Sequence, residues 1–116
     1  MLALALVACG CSPSPEAEEK TAATAVAAAS MAVEAWLDHA VPTDYAVATV
    51  TAMRAGFEQA VAELEKTRSG PADEQAVLAR DALDDALGGL KADDIGRVKN
   101  AAHALSGSEF MRAGQR

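Results

Sequence analysis

Proline and glycine punctuation sets the strongest limit on what this chain can fold into. Val41-Pro42-Thr43-Asp44 and Ser69-Gly70-Pro71 interrupt it, and Gly88-Gly89 followed by Asp93-Asp94 interrupts it again. Pro42 disfavours helix at Val41, and Thr43 or Asp44 is available to cap the segment that follows. Gly70 suits a helix end and Pro71 the first turn of the next helix, where Asp73 and Glu74 complement the dipole. A chain cut at these points forms segments of about 12 to 25 residues, the length range of helices in a small bundle.

The spacing of apolar residues agrees. From Glu16 to about Ala40, Ala22, Val26, Ala29, Val33, Trp36 and Ala40 recur at alternating steps of four and three, which predicts one long helix with a single apolar seam. The acidic first turn, with Glu16, Glu18 and Glu19, complements its dipole. At 100° per residue Ser30, Glu34 and Asp38 fall opposite the seam, and Met31 lies toward that polar side. A second seam runs Ala46, Val50, Met53, Phe57, Ala60, Leu64, making Met53 a core residue and leaving Arg54 and Glu58 outside as an i,i+4 pair. The third helix carries Ala76, Ala79, Leu83, Ala86, Leu87 and Leu90, with its end weakened at Gly88-Gly89. A fourth carries Ile95, Val98, Ala102 and Leu105, and runs to Ser106-Gly107 or through it to Met111. Short links leave consecutive helices side by side, so the predicted fold is all-α: an antiparallel four-helix bundle, up-down-up-down, over residues 16–116.

Composition decides what kind of bundle this is. Apolar residues are 51% of the 116, aromatics only 3%, and the surplus is alanine, so the core is thin and its helices pack closely. A net charge of −7 and a pI near 4.7 repel phosphate backbones, and nucleic acid is not an expected partner. Glycine-rich phosphate loops, CxxC pairs and HExxH motifs are absent from the sequence. The acidic residues Asp81, Asp84, Asp85, Asp93 and Asp94 lack the alternating spacing of a calcium loop and are read as a solvated face. Trp36 and Phe57 sit on seams and are read as packing residues.

Ahead of the bundle, Leu2 begins a short apolar run that ends at Leu6-Val7-Ala8-Cys9, followed by Gly10-Cys11-Ser12-Pro13-Ser14-Pro15. The run is far below the roughly 20 residues that cross a bilayer. It resembles a bacterial lipobox. That resemblance implies a signal peptide over residues 1–8, cleavage before Cys9, diacylation (palmitate) of the Cys9 thiol, and a lipidated cysteine with a flexible tether over residues 9–15. It further implies a bacterial envelope protein, facing the periplasm, with the membrane as its partner through the lipid and another envelope protein as a second. No Lys or Arg precedes the run, so the pattern expects a translation start further upstream. Cys11 follows Ala8-Cys9-Gly10, which lacks the leading aliphatic side chain, and is the poorer match. Both cysteines precede the bundle, so no disulfide framework is expected inside it.

Two further resemblances concern function. Thr51-Ala52-Met53-Arg54-Ala55, Leu83-Asp84-Asp85-Ala86-Leu87 and Gly96-Arg97-Val98-Lys99-Asn100-Ala101-Ala102 are similar to helices of the cytochrome b562 family. That resemblance implies a periplasmic four-helix bundle holding haem between a methionine on the first helix and a histidine near the end of the last. His103, Met31 and Met53 are the candidate haem-side residues, although no histidine follows His103. Ala101-Ala102-His103-Ala104-Leu105-Ser106-Gly107-Ser108 resembles the active helix of histidine-containing phosphotransfer domains. There His103 would carry the phosphoryl group and Gly107 would admit a partner, with Ser106 standing where that family has a lysine. The primary expectation is a non-enzymatic, lipid-anchored bundle with an interaction or structural role and no cofactor or metal. The alternatives are a haem-binding electron carrier and a degenerate phosphotransfer module.

Overall fold

The computed structural model describes the backbone of residues 15–67 and 73–114. It contains α1 (Pro15–Leu37), α2 (Thr43–Thr67), α3 (Asp73–Ala92), α4 (Ile95–Ser106) and a short α5 (Glu109–Gly114). The fold is an all-α bundle. α1 packs along α2, α2 against α3, α3 against α4, and α4 with α5 closes back on α1. Two short helices placed end to end thus supply the fourth position. The lipobox-like run and the expected tether as far as Ser14, and the Ser69-Gly70-Pro71 break, lie outside the described residues; Pro15, expected as the last residue of the tether, is the first residue of α1.

α1 is the central element, because it touches α2, α4 and α5. One apolar seam cannot serve three neighbours, and its buried surface is correspondingly wider than the wheel predicts. Ala23, Ala25 and Ala32 are buried beside the predicted Ala22, Val26, Ala29, Val33 and Trp36. Ser30, expected on the solvent side, is 1% exposed, and its hydroxyl is satisfied by donating to Glu34 Oε2 at 3.3 Å. Met31, by contrast, is 71% exposed as the wheel indicates. α1 stops at Leu37, so Ala40 belongs to the following loop and is exposed.

α2 buries Ala46, Val50, Phe57, Ala60, Val61 and Leu64. Met53, expected in the core, is only half-buried at its edge. Phe57 meets Phe110 of α5 edge to face, centroids 5.0 Å apart and planes at 80°. Such a pair contributes roughly 0.5–1.5 kcal/mol beyond area burial and fastens the last helix to the core.

The predicted Arg54–Glu58 pair is present at 3.9 Å, but both groups have stronger partners on α3. Arg80 grips Glu58 with two nitrogens, Nε to Oε2 and Nη2 to Oε1, the latter at 2.8 Å. Arg54 Nε contacts Asp84 Oδ1, an ionic contact without hydrogen-bond alignment. The Arg80 guanidinium holds the Glu58 carboxyl below its ordinary value, mainly through the hydrogen bond and against a smaller desolvation effect.

Gly88 and Gly89 do not end α3, which continues to Ala92. Their role is close approach. A Cβ on Gly89 would stand 2.7 Å from Val98 Cγ2 and 3.1 Å from the Val98 backbone nitrogen, whereas one on Gly88 would meet only the Arg97 guanidinium. Asp94 turns the chain by capping α4, accepting from the Arg97 amide at 3.1 Å, a contact of about 1 kcal/mol. Ile95, expected on the buried stripe, is 50% exposed, while Val98, Ala101, Ala102 and Leu105 carry the packing.

Two measurements test this packing. Gly89→Ala should destabilise by about 1–3 kcal/mol because the Val98 backbone cannot yield, whereas Gly88→Ala should gain up to ~1 kcal/mol in helix propensity as the Arg97 side chain swings aside. Equal effects in urea unfolding would remove the close-approach explanation. Glu58 has a lowered folded-state value, so its contribution is complete above the unfolded carboxyl value of 4.5 and is lost as pH falls through the lower folded value. Wild type should lose stability over that acid range, by no more than about 1 kcal/mol from this solvent-screened pair, and Glu58→Gln should show a flatter profile.

Candidate functional site

The residues singled out from the sequence are not brought together. Met31 projects from α1 into solvent and Met53 lies in a shallow groove between α1 and α2 beside Thr21, Thr24 and Gly56. His103 is exposed on α4. Haem ligation requires side chains aimed into the bundle from opposite sides, and these three do not fit it: two face solvent, and the interior is filled by Val26, Val33, Phe57, Leu83, Leu90 and Leu105. Gly107 is the C-cap of α4 with φ −91°, so the helix ends one turn after His103. Ser106 Oγ donates to the His103 carbonyl at 3.0 Å, not to the ring.

The acidic residues have separate tasks. Asp84 meets Arg54, Asp85 accepts from Arg97 Nη2 at 3.2 Å, and Asp94 caps α4. Among the described residues, no three His, Cys, Asp or Glu side chains converge as a metal site. Cys9 lies outside the described residues.

A site that sequence reading missed lies at the end of the bundle where α1 and α3 terminate. Both helices end in the same backbone motif. After α1, the His39 amide donates to the Trp36 carbonyl at 3.0 Å and the Ala40 amide to Ala35 at 2.8 Å. After α3, the Asp93 amide donates to Leu90 at 3.2 Å and the Asp94 amide to Gly89 at 2.8 Å. These are Schellman closures, whose turning residue takes left-handed backbone and is usually glycine. Here His39 and Asp93 take it, with φ 62° and 56°, the two positive-φ non-glycine residues of the described chain.

Both line one cleft of about 500 Å³. Its apolar wall comes from Trp36, Leu37, Val41, Pro42 and Ile95, and Lys99 reaches it from α4. Trp36 is 9% exposed and is locked in orientation by its indole N–H, which donates to Thr43 Oγ1 at 2.9 Å. That bond spans the turn between α1 and α2 and fixes this wall of the cleft. Sequence spacing carried no sign of this site. The helix ends are unmarked by glycine, and the seam reading ran α1 on to Ala40, which hides position 39 inside the helix.

No protein-family model, characterised protein or solved structure matches this chain.

Left-handed backbone at a residue with a Cβ costs about 1–2 kcal/mol, and glycine's added unfolded-state freedom costs roughly 0.5–1 kcal/mol. His39→Gly and Asp93→Gly should therefore each be neutral to stabilising, by up to about 1 kcal/mol. His39→Ala and Asp93→Ala retain the Cβ and should bring no gain. Thermal unfolding of the four variants decides it; alanine matching glycine would mean that backbone strain is not what these positions carry.

Proposed function

We propose that this chain is a lipid-anchored, non-enzymatic helical-bundle protein of the bacterial envelope, held at the membrane by Cys9 and facing the periplasm, with an interaction role. The observation that carries the reading is the order Leu6-Val7-Ala8-Cys9, then a Ser/Pro tether, then helix from Pro15. Proline suits that first turn, since the amide it lacks has no partner there in any helix. Among the described residues no helix is long and apolar enough to cross a membrane, so attachment by this route depends on the acyl chains at the cysteine. Two chains hold a protein stably where one binds only reversibly.

Geometry supports an outward-facing role. α1 has 23 residues, a rise of about 34 Å, and an anchor at its N-terminal side leaves the Leu37 end and the cleft at the opposite end of the bundle. The non-enzymatic part rests on the setting of His103: it is exposed, and no carboxylate or hydroxyl among the described residues is hydrogen-bonded to its ring. The haem reading is not favoured, because its candidate ligands do not face one another across the core.

Expression with an upstream start restored and a palmitate analogue supplied should give a labelled, membrane-bound band. Cys9→Ser should lose both label and membrane association. Label that persists in both Cys9→Ser and the Cys9→Ser/Cys11→Ser double variant would defeat the assignment.

A further inference from the structure

We infer that the cleft at the α1–α2 and α3–α4 turns binds a small zwitterion with an apolar body, of the amino-acid or short-peptide class. Its volume of about 500 Å³ falls within the roughly 300–1,000 Å³ of small-molecule sites. The wall is apolar at Trp36, Val41 and Ile95, and Ile95 stays half exposed there although it is a large aliphatic residue. That wall suits a hydrocarbon side chain.

The polar side supplies opposite charges. Asp93 and Lys99 both line the cleft, and His39 stands with them. Among the described residues none of these three side chains has a hydrogen bond or ion pair, whereas the neighbouring Asp94 and Arg97 are both engaged, with the Arg97 amide and with Asp85. Asp93 suits an ammonium group, and Lys99 with His39 suits a carboxylate. A ligand with one charge of each sign uses all three. An anion alone would leave Asp93 opposed to it, against the field of a chain with net charge −7.

The backbone supplies an independent reason. His39 and Asp93 occupy the two left-handed positions of the described chain, where glycine is the usual residue, and both open on the same cleft. Strained residues gathered at one place mark a use for their side chains.

The inference does not rest on acylation, and the experiment is arranged to keep the two apart. Full-length Cys9→Ser protein, which carries no lipid at that position, serves as the background. The Trp36 indole and Ile95 methyl signals are followed by NMR during titration with Leu-Leu, N-acetyl-Leu-Leu and Leu-Leu-amide. Leu-Leu should shift both signals saturably, and each blocked form should bind about tenfold more weakly or worse, the loss of one charge-assisted contact. Asp93→Gly should weaken Leu-Leu to the same degree and erase the penalty of N-acetylation; Lys99→Ala should reduce that of the amide and His39→Ala/Lys99→Ala should erase it. A thermal unfolding midpoint for Asp93→Gly at or above that of wild type, as expected where a left-handed residue becomes glycine, excludes unfolding as the cause of its lost binding. No saturable shift with Leu-Leu at millimolar concentration, or equal binding by all three peptides, would overturn the proposal.

Discussion

The bundle depends on the burial of α1 against more than one neighbour. A helix that touches α2, α4 and α5 must let backbones come close, and large side chains on all sides would hold them apart. Alanine solves this. Ala22, Ala25, Ala29 and Ala32 are at most 6% exposed, and each removes little surface from water but permits contact between helices at the short end of the usual 8–10 Å spacing. Larger residues then fill what remains: Val26 and Val33 from α1, Phe57 from α2, Leu83 and Leu90 from α3, Leu105 and Phe110 from the last position. With so few large side chains, each carries a substantial share of the core, and the Phe57–Phe110 pair is the point where the short α5 is tied in.

Register along the other helices is set by different means. Between α3 and α4 it is steric: the absence of a Cβ at Gly89 lets Val98 sit against the α3 backbone. Between α2 and α3 it is electrostatic, since Arg54 and Arg80 reach across to Asp84 and Glu58. Such exposed pairs contribute little energy singly. Their geometry nevertheless distinguishes this alignment of α2 on α3 from one shifted by a turn, which would separate Arg54 from Asp84 and Arg80 from Glu58 and leave only the weaker Arg54–Glu58 contact within α2.

The end cleft follows from the same arrangement. Because α1 and α3 run in the same direction, both stop at one end of the bundle, and both turn by the same hydrogen-bond pattern. Each turn presents the side chain at its left-handed residue to the space between them. The Trp36–Thr43 bond holds one wall and the Asp94 cap holds the other. A rigid scaffold thereby carries polar groups on its loops, where binding residues most often lie.

Periodicity and punctuation alone determined the fold class, the number of principal helices, the interruptions near 41–44 and 93–94, and most of the core. Helix formation and seam burial follow from local spacing, and Val26, Val33, Phe57, Leu83 and Leu105 are buried where that spacing puts them. The misplaced side chains share one cause. A helical wheel assigns one inside and one outside to each helix, so it misplaced Ser30, which has neighbours on a second side of α1, and Ile95 and Met53, which stand at the bundle's margins. Helix propensity, a separate source of error, marks Gly88-Gly89 as a weakness, because the need for a missing Cβ at Gly89 exists only when Val98 arrives from another helix. The cleft belongs wholly to the tertiary structure: His39 and Asp93 are 54 residues apart in sequence, and only the shared end point of two helices makes them neighbours.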